Sequence, residues 1–166
     1  MNSGLVVRSI LLAGLALSCG ACASGPFDGV ASRFKYRVPF EIGQKQAEGG
    51  DQIEITELWG TRPQIEVGGD YLVVGTYSLE SLDEASVCFY LTALNWDNTG
   101  PDTDLLRTTV GKGSGTFALV HSMQGPGFFH VSMSGTRAGE DVRVSNVYFG
   151  RGDNLLREST ASGRAP

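Results

Sequence analysis

The chain has 166 residues, and its 13 Lys or Arg and 18 Asp or Glu residues give a formal net charge of −5. Because the basic residues are scattered through an acidic chain, the sequence lacks the positive patch that nucleic acids attract, and we expect no nucleic-acid partner. The length beyond the N-terminal segment fits one domain with a hydrophobic core.

The N-terminal segment has the pattern of an export signal. Arg8 precedes a short apolar run, residues 10–17, which is too short to cross a bilayer as a helix and matches a signal-peptide core. Residues 15–19 resemble a bacterial lipoprotein box, which predicts a signal peptide over 1–18 and a lipid on Cys19. Several acyl chains would hold the protein firmly in the cell envelope, facing the periplasm or the cell surface.

A second processing route stays open. Ala21, Cys22 and Ala23 form an A-x-A cleavage pattern, and cleavage after Ala23 would release a soluble secreted chain. With a lipid on Cys19, residues 19–34, which are small, polar and Gly-rich, predict a flexible lipid-anchored tether. We expect the β domain over 35–155 and a disordered tail over 156–166.

The rest of the chain predicts β-strands. Short alternating runs are separated by turn residues, for which the 23 glycines of the chain are suited, and no helical periodicity is present. Pro39 cannot donate to a ladder, so it places the first run at an edge or a bulge. The predicted strands, in chain order, are 36–42, 52–59, 65–67, 71–79, 85–94, 105–110, 116–123, 128–134 and 141–149.

These runs predict an all-β fold. Eight or nine short antiparallel strands are typical of a two-sheet β-sandwich of the jelly-roll kind, with a closed barrel as the alternative. The run 85–94 is apolar on both faces, as expected for a central strand. Strands 116–123 and 128–134 are expected to pair as a hairpin around residues 124–127.

Three stretches resemble the strands of carbohydrate-binding-module-like jelly rolls. Residues 69–79 and 85–91 resemble their middle strands, 115–132 their later strands, and 142–148 their closing strand. The resemblance implies a β-sandwich and suggests a glycan ligand.

A closer resemblance is to a group of small exported bacterial β-sandwich proteins of unknown function, familiar from planctomycete-type genomes. It covers roughly residues 38–155, implies a β-sandwich and brings no activity with it. The residues that carry it are 53–57, 60–63, 66–69, 113–117 and 148–153.

The loop of residues 95–104 is the best candidate for a site. Asp97, Asp102 and Asp104 bring three carboxylates together in one loop, and hard cations such as Ca²⁺ bind six to eight oxygens. The loop begins like an EF-hand, but Leu106 stands where a bidentate Glu would close it. The alternative is a solvated loop that uses Asn, Asp, Gly and Pro for turns.

The same loop offers a sugar-binding residue. An exposed Trp96, with Asn98 beside it, would stack on a sugar ring or contact a protein partner. Four further aromatics are candidates for the same platform, although a core or turn-packing role is favoured for each: Trp59, Tyr71, Tyr77 and Tyr148.

The cysteine and histidine residues give weaker evidence for a binding site. His121 and His130 flank the predicted hairpin, where they would face each other, and with Cys88 they suggest a metal site. The sequence offers no third or fourth ligand with the spacing of a known site, which favours structural histidines. Cys88 is expected to be a small buried hydrophobe, with a disulfide to Cys22 as the alternative.

No sequence motif indicates catalysis, since neither G-x-S-x-G nor H-E-x-x-H occurs. We therefore expect a non-catalytic lipoprotein whose β-sandwich binds or scaffolds, with an envelope glycan or protein as ligand. The alternatives are a structural or protein–protein interaction module of an envelope assembly, and an enzyme with an unrecognised site, such as a glycan hydrolase.

Overall fold

The computed structural model of the protein describes residues 32–94 and 106–157. This part of the chain is all-β, with a short 3-10 turn at Gly152–Asn154 and no α-helix. It contains no helix with the length and apolar character needed to cross a membrane. Its strands are β1 Tyr36–Arg37, β2 Glu41–Ala47, β3 Gln52–Gly60, β4 Asp70–Ala93, β5 Arg107–Ser122, β6 Gly127–Arg137 and β7 Glu140–Gly150.

The seven described strands join one antiparallel sheet, which curls into a half-barrel. Their order is β1-β3-β4-β6-β7-β2, and β5 pairs with β4. Residues 70–79 of β4 lie between β3 and β5, whereas residues 86–88 lie between β5 and β6. We call β1, β3 and residues 70–79 the first half of the sheet, and β2, β6, β7 and residues 84–93 the second half. The long strand β5 runs along both.

The core fills the concave side of this curled sheet. Strand residues point alternately to the two faces, and Tyr71, Val73 and Leu79 are all fully buried on the inner one, as their spacing predicts. From the second half, the rings of Phe89 and Phe129 pack edge to face with centroids 4.9 Å apart. Both halves therefore contribute to a single hydrophobic cluster.

A bend in β4 separates the two halves. The register of β4 against β5 shifts between Leu79 and Glu84. Asp51, fully buried in the turn before β3, accepts hydrogen bonds from the backbone nitrogens of Glu80 (2.6 Å) and Ser81 (3.0 Å) and from the Ser81 hydroxyl. The carboxylate thus satisfies the backbone donors that the bend takes out of the β-ladder.

The structure joins strands that the sequence separates. The predicted strands 71–79 and 85–94 are one strand, β4, and 105–110 and 116–123 belong to one strand, β5. The glycines between the latter two do not end the strand, because Gly113 pairs with Leu79 and Gly115 with Tyr77. A Cβ atom on Gly115 would lie 2.7 Å from the Tyr77 ring. This glycine therefore allows the Tyr77 ring to pack closely against the backbone of β5, and it does not form a turn.

Other predicted elements also differ. The run 36–42 is interrupted by residues 38–40 around Pro39, and 65–67 lie outside the strands. The expected hairpin of 116–123 with 128–134 is wrong, since β5 and β6 both pair with β4. A two-sheet sandwich of eight or nine strands is not confirmed, because hydrogen bonds join the seven described strands into one sheet.

Residues at both ends of the described chain contact the sheet. Phe34, at the end of the expected tether, packs with Leu72 and Val120 on the convex face of the first half. At the other end, the carbonyl of Leu156 accepts a hydrogen bond from the Gln44 nitrogen at 2.9 Å. These contacts place the start and the end of the described chain on opposite halves of the sheet.

Candidate functional site

Most of the predicted site residues lie outside the described residues. The calcium and sugar sites of the 95–104 loop, the lipidation site and the proposed Cys22–Cys88 disulfide therefore stay predictions. The residues concerned are Cys19, Cys22, Trp96, Asp97, Asn98, Asp102 and Asp104.

The two histidines do not face each other. His121 lies on the core side of the sheet, with its ring centroid 5.4 Å from that of Phe89. His130 lies on the convex face, because it alternates with the core residues Phe129 and Val131. Within the described residues no three His, Cys, Asp or Glu side chains are grouped to hold a metal ion.

The convex face of the second half carries a row of three aromatic rings. The strand registers place Tyr90 of β4 opposite His130 of β6, and His130 opposite Tyr148 of β7. The Tyr90 and His130 rings stack with centroids 5.1 Å apart, and those of His130 and Tyr148 are 4.7 Å apart. We call these three residues the aromatic row.

The two tyrosines at the ends of the aromatic row are partly exposed to solvent, whereas the histidine in the middle is buried. His130 is only 7% exposed because a tyrosine covers each side of its ring, whereas Tyr90 is 40% exposed. Tyr148 is half-buried. The row therefore presents a phenol at each end, and its most accessible aromatic surface belongs to Tyr90.

A polar row lies beside the aromatic one. Cys88 pairs with Ser132, and Ser132 pairs with Asn146. The Ser132 hydroxyl donates to Oδ1 of Asn146 at 2.8 Å in a buried contact. On the flanking strands, Arg107 pairs with Cys88 and the exposed Gln46 pairs with Asn146. Amide, hydroxyl and guanidinium groups thus border one side of the aromatic row.

Burial and neighbouring charge shift two pKa values in the aromatic row. Burial lowers the pKa of His130 to about 4, and the charge of Arg143 acts in the same direction. Burial also raises the pKa of Tyr90 to about 12, helped by a hydrogen bond with Cys88 and opposed by Arg143 and Arg107. At neutral pH the His130 ring is therefore neutral and the Tyr90 phenol is protonated.

Cys88 forms no disulfide within the described residues, and it lies half-buried on this face rather than deep in the core. Its position follows from alternation in β4, since Val87 and Phe89 point into the core. The Cys88 thiol shares a hydrogen bond with the Tyr90 hydroxyl, so it borders the aromatic row.

Of the aromatics suggested for a sugar platform, Tyr148 joins the aromatic row. Tyr71 is fully buried, and its hydroxyl binds the 61–69 loop through the Gln64 carbonyl at 2.7 Å. Trp59 donates to Glu57 at 2.6 Å on the first half, and Tyr77 packs against the core. The structure does not bring these three to the row.

Sequence reasoning missed Tyr90 and His130 as partners of Tyr148. The run 85–94 appears apolar on both faces, which hides that Cys88, Tyr90 and Thr92 share the outer one. The missing information is strand order, because only the adjacency of β4, β6 and β7 brings the three rings together.

The aromatic row is the candidate site because it combines exposed aromatic surface with polar neighbours on one rigid sheet. Comparison with known proteins adds no assignment: no protein-family model, curated protein or solved structure matches this chain.

Proposed function

We propose that the chain is a non-catalytic, envelope-anchored binding module and that the convex face of its second half binds a glycan. The observation that carries this proposal is the aromatic row with the polar row beside it. A sugar ring has an apolar C–H face and a rim of hydroxyls, so a ligand of this class needs both kinds of surface.

The aromatic row supplies an apolar surface for the sugar face, and the polar row and its flanking residues supply hydrogen-bonding groups for the hydroxyls. Tyr90 offers an exposed phenol ring against which a sugar face can pack. The exposed Gln46 carries both donor and acceptor atoms for hydroxyls, whereas Asn146 beside it is buried and held by Ser132. Because the residues lie on paired strands rather than on loops, their spacing is fixed before a ligand arrives, which lowers the entropic cost of binding.

We also propose that the two halves of the curled sheet act as the two layers of a sandwich. In support, β3 and β7 approach each other across the core without pairing. The convex face of the second half is then the outer face of one layer, where binding does not disturb the core.

Replacing Tyr90 tests the binding function. Tyr90→Ala removes the exposed ring, so the affinity for a bound glycan should fall by about tenfold, which corresponds to ~1.4 kcal/mol. Tyr90→Phe keeps the ring and should retain most of the affinity. Isothermal titration of the full chain against a panel of soluble oligosaccharides measures both.

Tyr36→Ala is the matched control, because Tyr36 is 45% exposed on β1, at the edge of the first half. It should leave the affinity unchanged. Equal affinity in Tyr90→Ala and the wild type, with thermal melts showing that both are folded, would contradict the proposed site.

The anchor is tested separately. If Cys19 is lipidated, cells grown with a palmitate analogue will label the wild-type chain, and Cys19→Ala will abolish the label. Cys22→Ala is the control and should be labelled normally. An unlabelled wild type, secreted after cleavage at Ala23, would overturn the anchor and leave the binding function untouched.

A further inference from the structure

Building on the glycan-binding function proposed above, we propose that the ligand is an acidic glycan and that Arg143 of β7 binds its carboxylate. The proposal concerns the chemical class of ligand for the same face.

The first argument is the position of Arg143. It is exposed, and it pairs with Ser134 across β6 and β7. Its neighbours Val142 and Val144 pack toward the core, so its side chain extends from the convex face. Ser134 lies four positions along β6 from His130, which is roughly 13 Å at the usual rise per residue. The polar row lies between the aromatic row and Arg143.

This arrangement leaves a bordered surface. The aromatic row forms one side, the buried pair Ser132 and Asn146 lies beneath the middle, and Arg143 forms the opposite side. A guanidinium group offers donors in a planar fork that matches a carboxylate through two parallel hydrogen bonds. A sugar that packs on the aromatic row and carries an acid group at its far end matches both sides.

A second argument comes from the groove beside β2. It has a volume of about 460 Å³, and its lining includes Lys45, Gln46, Glu48 and Arg143. Gln46 pairs with Asn146 and lies on the convex face, whereas Lys45 pairs with the core residue Val147 and lies on the opposite face. Arg143 is therefore the cation of this lining on the convex face, where it would attract an anion.

The charge of Arg143 also affects the pKa values of two residues of the aromatic row. Burial is the main cause of the raised pKa of Tyr90 and the lowered pKa of His130, and in both cases Arg143 acts by favouring the less positive form. A ligand on the aromatic row therefore lies within the electrostatic range of this guanidinium.

The test uses two probes that differ only in charge. Cellotetraose is neutral, and its counterpart oxidised at each C6 carries carboxylates on the same backbone. Isothermal titration of the full chain should show at least about tenfold tighter binding of the oxidised probe, and added salt should reduce the difference. Arg143→Gln should lower the affinity for the oxidised probe by about tenfold and leave the neutral probe unchanged.

Arg37→Gln is the matched control, because Arg37 lies on β1 at the edge of the first half. It should change neither affinity. Equal affinity of the wild type for both probes would overturn the acidic preference while glycan binding stands. A preference that survives in Arg143→Gln would overturn the role of Arg143. Failure of both probes to bind the wild type would instead count against the proposed function itself, and with it this inference.

Discussion

At the scale of single residues, His130 is the most constrained member of the candidate site. Its ring lies between two tyrosines, and its Nδ1 lies 3.2 Å from the Thr92 hydroxyl. Burial keeps the ring neutral down to a pH of about 4. The unfolded chain binds a proton at the ordinary histidine pKa near 6.5, so folding and proton binding are linked at this residue.

The linkage predicts how stability depends on pH. Between pH 6.5 and about 4 the unfolded state binds more protons than the folded one, so the free energy of unfolding should fall as the pH falls. The full loss from His130 is on the order of 3 kcal/mol. Urea melts at pH 7, 5.5 and 4 will measure it.

His130→Phe keeps a ring between the tyrosines and should remove most of this dependence. His121→Phe is the comparison variant. It should remove only a smaller part, because burial also lowers the pKa of His121. An unchanged pH dependence in His130→Phe would show that the histidine is not held neutral by the fold.

The residues of this site differ in how far the sequence predicts them. Tyr148 is named from the sequence as a platform candidate, and the core role favoured for Tyr71 is confirmed by its full burial. The partnership of Tyr90 and His130 cannot be read from the chain, because the two residues are joined only through strand pairing.

At the scale of elements, the bend in β4 depends on one buried carboxylate. Burial alone would raise the pKa of Asp51, but its hydrogen bonds with Ser81 and with the Glu80 nitrogen outweigh burial and lower it. Asp51 therefore stabilises the fold above the pKa of the unfolded residue, near 3.8, and this contribution is lost as the pH falls through the lower folded pKa.

Asp51→Asn should lower the free energy of unfolding at pH 7 by about 2 kcal/mol, because the amide is a weaker acceptor for the backbone donors of the bend. Asp83→Asn, an exposed change in the same bend, is the control and should have little effect. Chemical denaturation at pH 7 measures both. Equal stability of the two variants would mean that the bend does not need the buried carboxylate.

The glycines of β5 show why strand boundaries were harder to predict than strands. Glycine clusters usually mark turns, so residues 111–115 appear to end a strand. In the structure they continue the pairing with β4, because Tyr77 needs the space beside Gly115. Local sequence does not distinguish a turn from close packing by a partner strand.

At the scale of the whole molecule, the all-β antiparallel class can be predicted from the sequence, because short runs of alternating apolar and polar residues are separated by turn residues. Alternation also predicts the buried face of β4 correctly, at Tyr71, Val73 and Leu79. The single curled sheet cannot be predicted from this alternation, because it depends on β4 and β5 being long enough to run through both halves of the sheet. Runs interrupted by Glu80–Asp83 and by the β5 glycines appear in sequence as separate short strands.

This architecture makes the candidate site depend on the whole sheet. Phe89 and Phe129 anchor the inner side of the strands that carry Tyr90 and His130 on the outer side. The core thus fixes the spacing of the aromatic row, and the site needs no loop to assemble it. A ligand should therefore bind without large backbone movement.

The most direct test of glycan binding at this face is a map of where the ligand binds. Backbone amide signals of the isotope-labelled full chain should be followed by nuclear magnetic resonance as the oxidised cellotetraose is added. Glycan binding at this face predicts shifts confined to 86–92 of β4, 128–134 of β6 and 143–148 of β7. Shifts centred instead on 52–54 and 114–116 of the first half, or no shifts at saturating probe, would contradict it.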